Sequence, residues 1–331
     1  MGDKVVLVTV TYNSSHYLDT LLKACSKSTF SIDHIVIVDN NSQLDHKKQV
    51  AALADGRTDI TVIYLQQNTG GAGGFEAGMD YVRRNLDFDW IWLMDDDAYP
   101  APSCLETLLL HSKEESKNIG GLVPLIFGID NKKYQLYHYK VQSYFLIRDM
   151  PAINNLDSIS EEFEIEASAF VGPLISKRVV DNVGIADGTY FIYGDDLDYT
   201  YRISRKFKVM LIKDAIIYHK DFIGDSGQVN PKNWWKDYYQ YRNRLFFINS
   251  YAATNIRKII GISLYSLILM KRVGQTIIVK KTMKHSKLRR DLIFKALSDG
   301  LTNKRGKTLD PKDYILQLEK ENLKLEKRNI K

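Results

Sequence analysis

The chain has 331 residues, more than one typical domain of roughly 100–200 residues, which predicts a large domain with a smaller appendage. Its content of 44% hydrophobic and 26% charged residues excludes a disordered chain and a multi-span membrane protein. Two widely separated cysteines, Cys25 and Cys104, argue against a disulfide framework and favour a reducing compartment. Since the N-terminus also lacks a signal-peptide pattern, we expect a cytoplasmic protein.

The first hundred residues alternate between apolar, strand-like runs and helical patterns. The predicted strands are residues 5–10, 35–38, 60–65 and 90–94, and the predicted helices are residues 17–25 and 75–85. Continuous apolar strands that alternate with helices are typical of a parallel sheet covered on both faces. The sequence therefore predicts an α/β fold.

Polar residues follow each of the four predicted strands. They are Thr11-Tyr12-Asn13-Ser14, Asp39-Asn40-Asn41-Ser42, Asn68-Thr69-Gly70-Gly71 and Asp95-Asp96-Asp97. In open α/β sheets, ligands bind beyond the carboxyl ends of the strands. We therefore expect these four segments to converge on one functional edge.

The pattern changes after residue 120. Residues 135–147 resemble antiparallel strands, residues 176–183 form a predicted helix, and the chain reads as helical after residue 230. We predict a domain over residues 1–230 and a helical C-terminal region over 231–331. The last helix has Ile315, Leu318, Asn322 and Leu325 at a/d spacing, which is too short for a coiled coil and leaves self-association open.

The run Asp95-Asp96-Asp97 brings three carboxylates together after a buried strand. Like charges at this distance repel and raise one another's pKa, and a divalent cation such as Mg²⁺ or Mn²⁺ relieves the repulsion. A solvated acidic turn explains the pattern equally well.

Gly70, Gly71, Gly73 and Gly74 stand where the third strand leads into a helix, a place suited to binding an anion. The spacing does not fit a dinucleotide-binding fingerprint, because Glu76 occupies the third glycine position. A merely flexible loop is the alternative.

Two later features carry candidate chemistry. Asp195, Asp196 and Asp198 lie at a predicted loop-to-helix junction, where one of them could act as a general base or simply cap the helix. His219 ends an apolar strand-like run, and a lone histidine there is more often structural than metal-binding.

Taken together and in this order, the motifs resemble those of inverting family-2 glycosyltransferases with a GT-A fold, within them the galactofuranosyl- and rhamnosyltransferase-like group. The resemblance spans residues 5 to about 247. It rests on residues 8–13, 38–42, 70–75, 93–98, 194–199 with Arg202, His219, and 235–243.

The resemblance implies a role for each matching residue. The donor site would comprise Thr11, Tyr12, Asn13, Asp39, Asn40, Gly70, Gly71, Gly73, Gly74, Asp95 and Asp96. Mn²⁺ or Mg²⁺ would be bound by Asp95 or Asp97, with His219 completing the metal site. Asp196 would be the catalytic base, with Asp195 as the alternative. The acceptor site would include Asp198, Arg202, Trp234, Trp235 and Tyr239.

The preferred donor is UDP-galactofuranose, on the glycine segment, the triple aspartate and His219, and the alternative is dTDP-rhamnose. The expected acceptor is a glycan or a polyprenyl-diphosphate-linked glycan in bacterial cell-surface polysaccharide synthesis. A sugar-phosphate nucleotidyltransferase is disfavoured, because no glycine-rich loop with Arg and Lys follows the first strand.

Basic residues dominate residues 257–290, with no acid before Asp291. The longest apolar stretch there, residues 259–270, is shorter than the ~20 residues of a spanning helix. This segment predicts peripheral docking on an anionic membrane at its inner face. A membrane-docked scaffold or carbohydrate-binding protein is the non-catalytic alternative. We expect no nucleic-acid partner, because the cations of residues 271–290 lack interleaved aromatics.

Overall fold

The computed structural model describes residues 3–113, 118–130, 132–143, 147–153, 155–156, 160–220, 230–278 and 285–329. It divides the chain into two compact units. The first comprises Met1–Val141, Asp149–Gly188 and Asp195–Phe222, and the second comprises Gln142–Arg148, Thr189–Gly194 and Ile223–Lys331. The domain boundary near residue 230 stays a prediction. Lys280, Lys281 and Lys284 of the basic segment lie outside the described residues.

The strands of the described residues are, in chain order, β1 (Val5–Thr11), β2 (His34–Asp39), β3 (Ile60–Tyr64), β4 (Trp90–Asp95), β5 (Ala98–Pro100), β6 (Ile119–Gly128), β7 (His138–Ser143), β8 (Ile147–Pro151), β9 (Glu162–Ile165), β10 (Ala167–Ser168), β11 (Val171–Ser176) and β12 (Lys208–His219). The α-helices are α1 (Ser15–Cys25), α2 (Leu44–Ala54), α3 (Gly70–Asn85), α4 (Cys104–Leu110), α5 (Lys177–Val183), α6 (Asp195–Ser204), α7 (Trp234–Tyr251), α8 (Asn255–Ile278), α9 (Ser286–Leu301) and α10 (Pro311–Asn329).

The main sheet is mixed, with the order β3-β2-β1-β4-β11-β6-β12-β5 and β9 paired to β12. The four predicted apolar strands form its parallel half, in which β1 pairs with both β2 and β4. Because β11 is antiparallel to β4 and to β6, and β12 is parallel to β6, β12 runs in the same direction as β4. The carboxyl ends of β1, β2, β4 and β12 therefore lie at one edge, which confirms the α/β fold class.

Helices cover both faces of this sheet because successive side chains of a strand point to opposite faces. Val5 and Leu7 of β1 pack with Leu18 and Leu105, from α1 and α4. Val6 and Val8 pack on the other face, in a cluster with residues of α3, α5 and α6. Both cysteines are free and buried, as predicted.

The second unit has its own core, built from α7 to α10 around an aromatic cluster that includes Trp234, Tyr238 and Tyr239. In α10, Leu318 is buried and Ile315 packs against the same core, so this predicted a/d face is used inside its own unit. Among the described helices, none combines the length and the apolarity needed to cross a bilayer.

Candidate active site

The acidic turn lies between two strands at the carboxyl edge of the sheet. Strand β4 is buried up to Met94 and ends at Asp95, and β5 begins at Ala98. The turn residues Asp95, Asp96 and Asp97 therefore leave the apolar core together. The local sequence explains the turn. A buried apolar strand is followed at once by polar residues, and continuing the strand into the core would bury their charges at a high cost.

Strand pairing brings His219 to this turn. Strand β5 runs antiparallel to β12, with Ala98 opposite His219. The Nε2 atom of His219 lies 3.2 Å from Oδ1 of Asp97 and 4.0 Å from Oδ2 of Asp95. One ligand atom from each of these three side chains lies within 4.8 Å of the others. The predicted grouping of Asp95, Asp97 and His219 is present in the structure.

Gln135 orients the imidazole ring. Its Oε1 lies 2.9 Å from Nδ1 of His219, and its amide nitrogen donates to the His219 carbonyl. A proton on Nδ1 leaves the lone pair of Nε2 directed at the two carboxylates, which is the arrangement of metal-binding histidines. Sequence reasoning missed this residue, because Gln135 and His219 are 84 residues apart and share no motif.

Two carboxylate oxygens and an imidazole nitrogen suit Mn²⁺, and carboxylates also suit Mg²⁺. Burial, followed by repulsion from Asp97, raises the pKa of Asp95 to about 7. Burial, which outweighs the nearby Thr11 hydroxyl, raises the pKa of Asp96 well above its usual value, and Asp97 and Asp95 add repulsion. A divalent cation would relieve this repulsion, so the residues present fit a metal.

The second acidic run belongs to the same site. Asp195 is buried at the start of α6, and Asp196 is partly buried beside it. Burial, followed by repulsion from Asp196 and then from Asp95, raises the pKa of Asp195 well above its usual value. Since Asp196 in turn raises the pKa of Asp95, the two acidic runs lie within electrostatic reach of each other.

The polar residues after β1 and β2 interlock at the same edge. Asn13 accepts a hydrogen bond from the Gln43 amide, and Asn40 holds both Thr69 and Gly70. Among the described side chains, the buried Thr11 Oγ1, Asp39 Oδ2 and Asp96 Oδ2 lack a hydrogen bond of normal geometry. Tyr12 is exposed beside them. Buried polar atoms without partners are suited to a ligand.

The glycine segment is helical, which corrects the predicted start of this helix at residue 75. Helix α3 begins at Gly70, so the glycines occupy its first turns and are not a loop. A Cβ on Gly74 would lie 2.4 Å from Val10 Cγ1, and one on Gly73 would lie 2.5 Å from Thr69 Cβ. Close packing thus requires these two glycines, whereas a Cβ on Gly71 would meet nothing within 4 Å. Their donor-binding role stays a prediction.

Asp198 and Arg202 are engaged with each other on α6. Arg202 Nε lies 2.9 Å from Asp198 Oδ2, and the guanidinium also donates to the carbonyls of Val183 and Ile185. This network ties α6 to the end of α5. The acceptor-binding role of both residues stays a prediction.

The predicted acceptor aromatics belong to the second unit. Trp234 and Tyr239 are buried in its core, and the Tyr239 hydroxyl donates to the Leu309 carbonyl at 2.7 Å. Trp235 is partly buried and packs against the same core. Packing explains these three side chains, and their contact with an acceptor stays a prediction.

Comparison with known proteins defines the class. Residues 6–172, just over half of the chain, match the model of the family described as Glycosyl transferase family 2. The chain therefore belongs to glycosyl transferase family 2. The crystal structure of GalNAc-T7 with UDP, GalNAc and Mn²⁺ has a similar fold, with a TM-score of 0.55 and 17% identity over 76% of this chain and 52% of that one. The GT-A fold is confirmed.

Curated relatives are galactofuranosyltransferases. Galactofuranosyltransferase GlfT1 of Mycolicibacterium smegmatis is 31% identical over 205 residues, which are 61% of this chain and 65% of that protein. The match thus spans a little under two thirds of that relative's length. Galactofuranosyltransferase GlfT1 of Mycobacterium tuberculosis is 27% identical over 275 residues, which are 79% of this chain and 86% of that protein.

Proposed function

We propose that the protein is a metal-dependent, inverting galactofuranosyltransferase that uses UDP-galactofuranose. The observation that carries this proposal is the grouping of Asp95, Asp97 and His219 within reach of Asp195 and Asp196. The similarity to galactofuranosyltransferases supports the donor, and the GT-A neighbour with bound UDP and Mn²⁺ supports the metal. The proposed acceptor is a glycan or a polyprenyl-diphosphate-linked glycan.

Each part of the site has a proposed task. Thr11 and Asp39 hold the nucleoside, with the buried unpartnered atoms of this edge as their binding groups. Asp95, Asp97 and His219 hold the metal, which when bound neutralises charge on the diphosphate. Gln135 keeps Nε2 of His219 directed at the metal position.

Asp196 acts as the general base. It removes the proton of an acceptor hydroxyl, that oxygen forms a bond to the anomeric carbon, and the bond from this carbon to the diphosphate breaks. Attack opposite to the leaving group inverts the configuration. The base stands at the start of α6, where Leu197 N donates to Asp196 Oδ1 at 2.7 Å and holds the carboxylate in place.

The chain also offers a surface for a membrane, and we propose that α8 docks there. Helix α8 contains four cations and no acid, and Ile256, Ile259, Leu267 and Met270 are exposed on it. An exposed apolar stripe flanked by cations suits the interface of an anionic bilayer. Each cation near such a surface contributes about 1 kcal/mol.

Vesicle flotation tests this docking. We expect the protein to float with vesicles that contain phosphatidylglycerol, to float less with phosphatidylcholine alone, and to lose flotation in Leu267→Asp. Leu110→Asp is the matched control, because Leu110 is exposed to a similar extent in the first unit. Equal flotation of both variants would contradict the proposal.

Thermal stabilisation by nucleotides tests the donor and the metal together. A ligand that binds only the native state raises stability by RT ln(1 + [L]/Kd). We expect UDP to stabilise the protein in the presence of Mn²⁺, and Asp97→Ala to abolish this effect. A preference for dTDP would favour rhamnose as the donor sugar. No response to UDP, dTDP, GDP or CMP would contradict the transferase proposal and favour a carbohydrate-binding scaffold.

A further inference from the structure

The backbone immediately before the second acidic run is strained. Phe191 and Tyr193 adopt left-handed φ angles of 68° and 65°, and Gly194 has a φ of 88°. For residues other than glycine this conformation costs roughly 1–2 kcal/mol each. A turn with two such residues persists only where its surroundings hold it. The next residue in the chain is Asp195.

Asn243 of α7 holds this turn by donating hydrogen bonds to backbone carbonyl groups of the turn. Its Nδ2 donates to the carbonyl oxygens of Tyr190, Ile192 and Tyr193, at 3.0, 2.9 and 2.7 Å. The asparagine is 3% exposed, so water cannot easily replace these bonds. One side chain thus binds three backbone carbonyls of the turn.

Arg242 fixes the orientation of that amide. Its Nε donates to Asn243 Oδ1 at 2.9 Å, which leaves Nδ2 for the turn, and its Nη2 donates to the Tyr190 carbonyl at 2.9 Å. The guanidinium is fully buried and lies over the Tyr239 ring. Among the described residues it forms no salt bridge with a carboxylate, and burial lowers its pKa.

A buried arginine without a carboxylate partner is costly. Packing alone does not require it, because an apolar side chain of similar volume would fill the same space at lower cost. Arg242 also donates through Nη1 to the Gly306 carbonyl and the Thr308 hydroxyl, outside the turn. It acts on residues 190–194 through Nη2, which binds the Tyr190 carbonyl, and through Nε, which binds Asn243.

We propose that Arg242 and Asn243 are positioning residues for the catalytic acids. They hold the turn of residues 190–194, and the chain itself transmits this restraint through Gly194 to Asp195 and Asp196 at the start of α6. Both side chains are buried and direct their hydrogen bonds into the protein. This inference rests on the proposed function, since it assigns the restrained acids a role in transfer.

The variants Asn243→Ala and Asn243→Asp test the restraint. Aspartate has nearly the same shape but lacks the amide hydrogens, so both changes remove the donors to the three carbonyls. We expect kcat with UDP-galactofuranose to fall about 10–100-fold, because small displacements of reacting groups cost that much. KM for the donor should stay within about threefold of wild type, since the nucleotide residues are untouched.

Leu245→Ala is the matched control. Leu245 is buried on the same helix and packs against Gly300. We expect it to lower the melting temperature by at least as much as Asn243→Ala while kcat of the folded enzyme stays within twofold. An equal loss of kcat in this control, or wild-type kcat in both Asn243 variants, would overturn the proposal.

Hydrogen–deuterium exchange separates this inference from the proposed function. We expect amide exchange in residues 190–196 to accelerate in Asn243→Ala and to stay unchanged in Leu245→Ala. If wild type fails to turn over any nucleotide sugar, the proposed function fails, but the exchange rates still report on the turn. Unchanged exchange in Asn243→Ala would overturn the restraint itself.

Discussion

Buried carboxylates have opposite surroundings at the carboxyl edge of the first unit and inside the second unit. At the carboxyl edge of the first unit, carboxylates are crowded together, and burial with mutual repulsion raises the pKa values of Asp95 and Asp195. Inside the second unit, Asp299 accepts hydrogen bonds from Tyr238 and Lys295. Burial alone would raise the pKa of Asp299, but these bonds hold it below its usual value.

This difference distinguishes groups that serve a ligand or a reaction from groups that stabilise the fold. Groups whose charges are matched within the protein stabilise the native state, as Arg289 does with Asp237 at 2.5 Å. Groups that repel one another destabilise the ligand-free protein and are retained where a ligand or a reaction needs them. The carboxyl edge is thus suited to a ligand, whereas the paired charges around Asp299 and Asp237 stabilise the second unit.

The largest expected effect concerns the proposed base. Asp196→Asn should lower turnover by about 10²–10⁴-fold, the usual contribution of general-base assistance, while stabilisation by UDP with Mn²⁺ is retained. A radiolabelled or coupled transfer assay measures the turnover. Asp181→Asn, an exposed acid on α5, is the control and should behave as wild type. If Asp195→Asn were inactive and Asp196→Asn active, the base would be Asp195.

A smaller effect is expected for Gln135, the residue hydrogen-bonded to Nδ1 of His219. Gln135→Leu removes the acceptor from Nδ1 of His219, and such changes typically lower metal affinity about 10–100-fold. Calorimetric titration with Mn²⁺ measures this. Gln67→Leu, at an exposed position, should leave the affinity unchanged. Equal affinities of the two variants would mean that His219 does not bind the metal.

In the second unit the same kind of change should affect stability and not turnover. Asp299→Asn weakens the bonds from Tyr238 and Lys295, and we expect a loss of about 1–3 kcal/mol in the free energy of unfolding. Urea denaturation measures this loss. Asp291→Asn, at an exposed position on the same helix, should stay within about 0.5 kcal/mol of wild type. A drop in kcat of folded Asp299→Asn would break the contrast between the units.

The smallest effect is a pH dependence at the carboxyl edge. Burial, followed by repulsion from Asp97, raises the pKa of Asp95 from its usual 3.8 to about 7 in the folded protein, so its ionisation costs stability as pH rises between these values. In EDTA, Asp95→Asn should be no more stable than wild type near pH 3.5. At pH 8 the variant should be more stable than wild type by about 1 kcal/mol. This value allows for solvent screening, because the Asp95 side chain is 42% exposed. A pH-independent difference in melting temperature would contradict this.

Much of the fold followed from local patterns. The four parallel strands lie where apolar runs predicted them, and polar segments end each strand at one edge. The antiparallel strands β9 and β11 were not predicted individually, because their pairing partners are remote in sequence. The helical start at Gly70 was also missed, because glycine favours loops locally and only packing against Val10 explains it.

The candidate site likewise has a part that local sequence patterns predicted and a part that depends on contacts between remote segments. Local patterns predicted that carboxylates gather after β4 and at the start of α6, because a buried run followed by acids is visible in a short stretch of sequence. The family resemblance predicted His219 beside them, and the tertiary structure shows the cause, which is the pairing of β5 with β12. The tertiary structure also shows that Gln135 orients this histidine and that Arg242 and Asn243 hold a strained turn. These contacts join residues distant in sequence, and no local periodicity records them.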